Sequence, residues 1–378
     1  MTLFPNSSAQ PVLHQNLKIN SSDQLSPWMN NITSPPLQLS SLGMSCFTMI
    51  FGAISNLIAL GILVKSRVRF RRQSKTPFLF LTVALLLADL GGHVIPGAFA
   101  LYLHTDLRYK TQAIKPTGKV CQIFGASMVF FGLCPLLLGC AMAVERCVAI
   151  TQPFFHASMI TVAHAQQVVL FISSVALVLA VLPLFAVGTY TTQPPGTWCF
   201  LPIHDPQSSA DINLSMAFSC LGLTLLALSL FCNILSGVAL LQTRMKSHNV
   251  YKKATARCAR QASSASSSSL FSLLDMEMMV QLATITVVSC VCWGPFLIHT
   301  LMMMQLNQSP RASAHMKDDF ILLGLRMASW NQILDPWVYI LLRRTVLFRV
   351  CCGLNRRRAT VAANSFCADT SRQAFNLQ

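Results

Sequence analysis

Seven stretches of the chain stay apolar for long enough to cross a lipid bilayer. They run over about 42–64, 78–103, 120–150, 166–187, 213–241, 279–304 and 320–342. A spanning helix needs about 20 apolar residues, and an isolated strand cannot satisfy its backbone in lipid. The pattern therefore predicts an all-α membrane protein, with a bundle of seven transmembrane helices over 41–342. A third inner loop is expected over about 242–275. Residues 1–40 are polar and rich in Asn, Ser and Pro, and bury too little apolar surface to fold alone. After the seventh stretch, 343–354 mixes basic and apolar residues as a helix on a membrane surface does, and 355–378 is a short polar tail.

An odd number of crossings puts the two ends of the bundle on opposite sides, and basic residues select the sides. With residues 1–40 outside, most of the 28 Lys and Arg fall inside, around 65–75, 244–260 and 343–372. The formal net charge of +16 is thus mainly topological. Anionic inner-leaflet lipid is its default partner, and nucleic acid is not. Composition agrees: 53% of residues are hydrophobic and 11% charged, against about 25% charged in soluble domains. Residues 1–40 show no basic start followed by an apolar core, so the first apolar helix is expected to direct insertion.

This orientation sorts the modification candidates. Asn6, Asn20 and Asn31 begin N-x-S/T triplets on the outer tail, where glycosylation occurs. Ser263 opens the run SSASSSS three residues after Arg260. The run reads either as a flexible linker or as a site where phosphorylation adds charge. Cys351 and Cys352 are juxtamembrane, either free thiols or palmitoylation sites. Of 14 cysteines, Cys121 and Cys199 fall at outer positions, which argues for one disulfide pinning the second outer loop over the bundle mouth. A lid of that kind excludes water and strengthens an ion pair beneath it. No metal-ligand spacing stands out.

Charges inside the apolar stretches carry the chemistry, since Arg or Asp at a bilayer centre costs about 2.5–3.5 kcal/mol on insertion scales. Arg326 lies six residues into the seventh stretch. It either snorkels to the headgroups or waits in a cavity for an acidic, largely apolar ligand. Asp89 and Asp335 either share a proton, hold a cation, or sit neutral against Asn56 and Asn331; Pro135 offers no hydroxyl to a sodium shell. His93, one turn from Asp89, is either a structural histidine or a pocket residue. Pro96, Pro183, Pro295 and Pro336 kink spans and help a bundle hold a cavity, with Trp293 beside one kink. No H-E-x-x-H or G-x-S-x-G string occurs, so an enzyme is not expected. A transporter of organic anions is the remaining rival class, disfavoured by the odd span count and the lack of repeated halves.

Four longer strings narrow the class: GHVIPGA at 92–98, MVFFGLCPLLLGCAMAVERCV at 128–148, PGTWCF at 195–200 and LRMASWNQILDPWVYILLR at 325–343. Over nearly all of 42–354 the chain resembles the prostanoid group of rhodopsin-like G-protein-coupled receptors. Glu145-Arg146-Cys147 stands where most of that superfamily has D-R-Y, and Asp335-Pro336-Trp337-Val338-Tyr339 where it has N-P-x-x-Y. Both departures are prostanoid habits.

The resemblance implies a rhodopsin-like bundle at the cell surface that needs no cofactor. It implies that Arg326 pairs with a prostaglandin carboxylate, helped by Thr197 in the lid next to Trp198. The family adds a Tyr near the outer end of the second helix; here His104 and Tyr102 stand in that region, and either fits. His93 and Met128 would surround the ligand ring, Trp293 and Phe296 would form the floor, and Ser329 would face the pocket below Arg326. Glu145, Arg146, Asp89, Asp335, Pro336 and Tyr339 would form the switch that admits the tail of a Gq-type α subunit, leading to phosphatidylinositol turnover and calcium release. The ligand favoured by GHVIPGA and the Ser/Ala-rich third loop is prostaglandin E2, with an F prostaglandin as the alternative. Arrestin and receptor kinases are further implied partners.

Overall fold

The computed structural model describes residues 36–69, 76–109, 118–185, 187–194, 196–203, 206–255, 265–306 and 320–341. Asn6, Asn20, Asn31, Ser263, Cys351, Cys352, the surface helix expected at 343–354 and the tail at 355–378 lie outside the described residues. Two units divide at 40/41. Of the first, only 36–40 are described, and they are helical.

Eight helices follow in order: α1 (Pro36–Arg69), α2 (Thr76–Tyr109), α3 (Gly118–Thr151), the short α4 (Pro153–Met159), α5 (Val162–Val181), α6 (Ser209–Thr255), α7 (Ala265–Leu306) and α8 (320–341). All but α4 match the predicted spans. Six of the described helices are long and apolar enough to cross a membrane. The seventh crossing, α8, is a continuous helix but carries Arg326, Asn331, Gln332 and Asp335. α5 tightens into a 3₁₀ turn at Leu182–Phe185, where Pro183 has no N–H to continue the α-helical ladder.

α3 is the axis. It packs against α2, α5, α6, α7 and both strands of the lid. In its apolar stretch 56% of residues are buried, against 22% in α5, which lies at the periphery. Phe124, Leu133, Leu138 and Met142 of α3 are almost wholly buried. The opposite faces of the outer helices expose Phe47, Ile50 and Leu57 on α1, Leu170 and Phe171 on α5, and Val287 and Val291 on α7. Belts of this size suit lipid rather than water.

The apolar spans of α6 and α7 end at Thr243 and begin again at Met278, close to the bounds of 242–275 expected for the third loop, and helix continues beyond them from both sides. α6 continues to Thr255 and α7 begins at Ala265, so part of the serine run is helical. Apolar character marks the lipid-embedded part of a helix; hydrogen bonds within the helix let it continue beyond.

The lid is a hairpin. β1 (Thr191–Gln193) pairs antiparallel with β2 (Trp198–Phe200), placing Thr192 opposite Cys199. Gly196 takes φ +92° in the turn, a conformation that favours glycine, and its N–H donates to the Gln193 carbonyl at 2.7 Å. The Trp198 indole N–H donates to the Pro194 carbonyl at 2.9 Å. Cys121 and Cys199 form the expected disulfide. On the approach to β1, the Tyr190 hydroxyl donates to the Ala180 carbonyl at 2.7 Å. Burial pushes this phenol above its ordinary pKa, so it stays a donor. Beyond β2, Ser208 and Asp211 form a capping box at the start of α6. Asp211 N–H donates to Ser208 Oγ at 3.2 Å, and Ser208 N–H donates to Asp211 Oδ2 at 3.1 Å. Asp211 Oδ1 also accepts from Thr189 N–H at 2.7 Å and Thr189 Oγ at 3.1 Å, tying α6 to the segment that leads into the lid.

Candidate functional site

Beneath the hairpin lies a cavity of about 200 Å³. α1, α2, α3 and α8 form its walls, α7 contributes Trp293, the hairpin contributes Thr197 and Trp198, and α5 and α6 contribute nothing. Met44, Met49, Ala100, Phe124, Met128 and Leu325 make much of the surface apolar, while His93, His104, Thr197, Arg326, Ser329 and Gln332 supply the polar groups. An apolar cleft with a few convergent polar groups is the usual form of a small-molecule site. Arg326 lines it and stays exposed. Among the described residues no carboxylate pairs with its guanidinium.

The geometry qualifies four of the expected positions: Tyr102, Phe296, Ser329 and His93. His104 lines the cavity, but Tyr102 does not and is 49% exposed. Residues two apart on a helix face different ways, so α2 cannot present both. Phe296 is buried and does not line the cavity; it lies edge-on to Trp293 at 6.2 Å and to Phe200 of the lid at 5.6 Å between ring centroids. It packs behind the cavity lining, between Trp293 and the lid. Ser329 lines the cavity, but its hydroxyl donates to the Arg326 carbonyl at 2.8 Å. His93 is 4% exposed, and its ring packs so close to Gly52 that a Cβ there would collide with it. It therefore has a structural role as well as a place in the wall.

Deeper in the bundle, Asp89 and Asp335 are almost wholly buried. Asn331 Nδ2 donates to Asp335 Oδ2 at 3.3 Å. The Asp89 carboxylate has no protein hydrogen-bond partner among the described residues. A void of about 20 Å³ beside Asp335 is lined by Pro135, Thr286, Ser289 and Asn331. Tyr339 on α8 reaches back to α3, its hydroxyl 3.8 Å from Met142 Sδ.

At the far end of α3, Arg146 is held by its neighbour. Its Nε and Nη2 each donate to a Glu145 carboxylate oxygen at 2.5 Å. The guanidinium also lies 4.7 Å over the Phe78 ring. His156 on α4 holds Glu145 Oε1 at 2.8 Å. Sequence reasoning missed His156, because a histidine on a short connecting helix shows nothing of its contact eleven positions back. It also missed Gln332, whose side chain reaches α3.

The fold is shared with solved seven-helix structures. Squid rhodopsin superposes with a TM-score of 0.64 at 15% identity, over 85% of this chain and 87% of that one. The family model described as 7 transmembrane receptor (rhodopsin family) matches residues 61–339. The chain belongs to that receptor family. Its relatives there are receptors rather than enzymes, and a multi-pass place in the cell membrane follows. Within the family it groups with the prostanoid receptors. It is 41% identical over 350 residues to the human Prostaglandin E2 receptor EP1 subtype, covering 85% of this chain and 84% of that protein. The rat protein of the same name is also 41% identical, over 85% of this chain and 82% of its own length. The human Prostaglandin F2-alpha receptor is 37% identical, over 90% of this chain and 91% of its own length.

Proposed function

We propose that the chain is a cell-surface receptor for prostaglandin E2, with residues 1–40 outside and its signal passed to a Gq-type G protein, raising calcium. One observation carries the ligand reading: a cation without a described counter-ion, Arg326, in an apolar cavity closed by a disulfide-tied hairpin. A prostaglandin is the complementary molecule, a carboxylate on long apolar chains around a ring. Arg and carboxylate bond through two parallel charge-assisted hydrogen bonds, which suits a single anchor for a flexible acid. Thr197 and His104 stand on the same cavity surface to complete the anchor, and Met128, His93 and Trp293 are placed around the rest of the molecule. The net positive inner side supports the orientation.

At the other end, the Glu145–Arg146 pair marks a resting arrangement, and Arg146 must leave Glu145 to meet a G protein. Agonist shifts that equilibrium by as much as its affinities for the two arrangements differ. Arrestin and receptor kinases would act on the same inner surface. Transfected cells given prostaglandin E2 are expected to release calcium. A cyclic-AMP response without calcium would contradict the coupling. A second reading, a receptor for prostaglandin F2α, is supported by the 37% identity that extends over 90% of this chain. Competition binding with E, F, D and thromboxane-type ligands separates the two, with the E ligand expected to bind tightest.

A further inference from the structure

Two helix-breaking residues in different helices are joined by one side chain. Pro135 has no N–H to donate to the carbonyl four residues earlier, that of Phe131 on α3. Gln332 of α8 fills this place: its Nε2 donates to the Phe131 carbonyl at 2.8 Å. Pro336 likewise leaves without a helical donor the carbonyl four residues before it, that of Gln332 itself. Asn56 Nδ2 of α1 donates to that carbonyl at 3.1 Å. Gln332 thus takes the freed carbonyl of one helix, α3, and offers its own to another, α1. Gly92 permits this, since a Cβ there would collide with the Gln332 amide. Phe131 and Gln332 both line the cavity, so the bridge crosses its floor. Three residues further along α8 lies Asp335, in the buried layer below.

We propose that Gln332 is the positioning residue through which occupancy of the cavity is passed to the signalling end. Its amide locks α8 to α3 while the cavity is empty, and an agonist that draws the amide away releases α8. The inference rests on the receptor reading above. A buried carbonyl cannot be left unpaired at no cost, so the lock is specific to the donor that Pro135 lacks.

The test is a two-by-two comparison in the full-length receptor, at matched surface expression, reading ligand-independent and prostaglandin E2-stimulated G-protein activation. Gln332→Leu is expected to raise ligand-independent activation about five-fold, the shift that one buried hydrogen bond of ordinary strength supplies. Pro135→Ala returns a helical N–H to the Phe131 carbonyl and makes the bridge redundant. In that background Gln332→Leu is expected to change ligand-independent activation by less than about two-fold, because its hydrogen-bond partner is already satisfied. An equal effect in both backgrounds, or none in either, overturns the proposal. If Gln332→Leu stays inside the cell, Pro135→Ala is expected to restore it to the surface, and failure to restore it likewise overturns the proposal. A wild-type chain that does not respond to prostaglandin E2 would instead contradict the ligand reading, while the comparison in ligand-independent activation stands by itself.

Discussion

Arg326 sits roughly 13.5 Å along α8 from Asp335, nine residues at about 1.5 Å each. On the proposed reading that spacing separates two tasks on one helix, holding an anion near the lid and moving a buried layer below it. Around Arg326 the neutral polar groups differ in access. His104 shares the cavity wall with Arg326, whereas Tyr102 turns outward. His104→Ala should therefore weaken prostaglandin E2 binding about ten-fold, the value of one hydrogen bond to a charged group. Tyr102→Ala should leave binding within about two-fold, since it lies off the cavity wall. Competition binding on membranes checks both, and a larger loss at Tyr102 would reverse the assignment. Arg326 was legible in the sequence because a cation in an apolar run is costly and must have a use. The choice between His104 and Tyr102 was not, because it depends on the rotation of α2. Gln332 was harder still: its meaning lies in two prolines, one on another helix, and in which carbonyl each one frees.

The elements divide into those that hold the cavity open and those that close it. α3 supplies the buried axis, and the β1–β2 hairpin supplies the lid. The Cys121–Cys199 bond and the Asp211 capping box tie the lid segment at its two ends. Asp211 is wholly buried and accepts from both Thr189 and Ser208. Asp211→Ala strands these donors and should cost about 2–4 kcal/mol of stability. Thermal unfolding of detergent-solubilised protein should show a lower midpoint, and an unchanged midpoint would mean that the cap is dispensable. Apolar runs revealed the crossings with little ambiguity, because lipid admits few alternatives. They did not reveal that α6 and α7 extend through most of the expected third loop, where water rather than lipid surrounds a helix already satisfied within itself. The two short strands were also hidden, since three residues each carry no period.

The whole molecule joins a ligand end to a coupling end. Arg146 is held by Glu145, Glu145 by His156, and the Arg146 guanidinium lies over Phe78. Three elements of the bundle, α2, α3 and α4, therefore meet at one ion pair. Glu145→Gln removes the charge that holds Arg146 and should raise ligand-independent G-protein activation several-fold. His156→Ala removes one hydrogen bond to Glu145 and should raise it less. Nucleotide exchange on a purified G protein, with receptor density matched, distinguishes the two. No rise in either variant would mean that the pair does not restrain coupling. Family membership was readable from the four long strings, whereas the contact between α4 and the end of α3 required the fold.

The central claim is that Arg326 anchors a carboxylate. It is tested most directly by measuring binding of prostaglandin E2 and of its methyl ester to wild type and Arg326→Ala at equal surface expression. The account predicts that the acid loses about 10–100-fold in affinity, the range expected for a hydrogen-bonded charged group, while the ester, already lacking the charge, loses much less. Equal losses for acid and ester would contradict it.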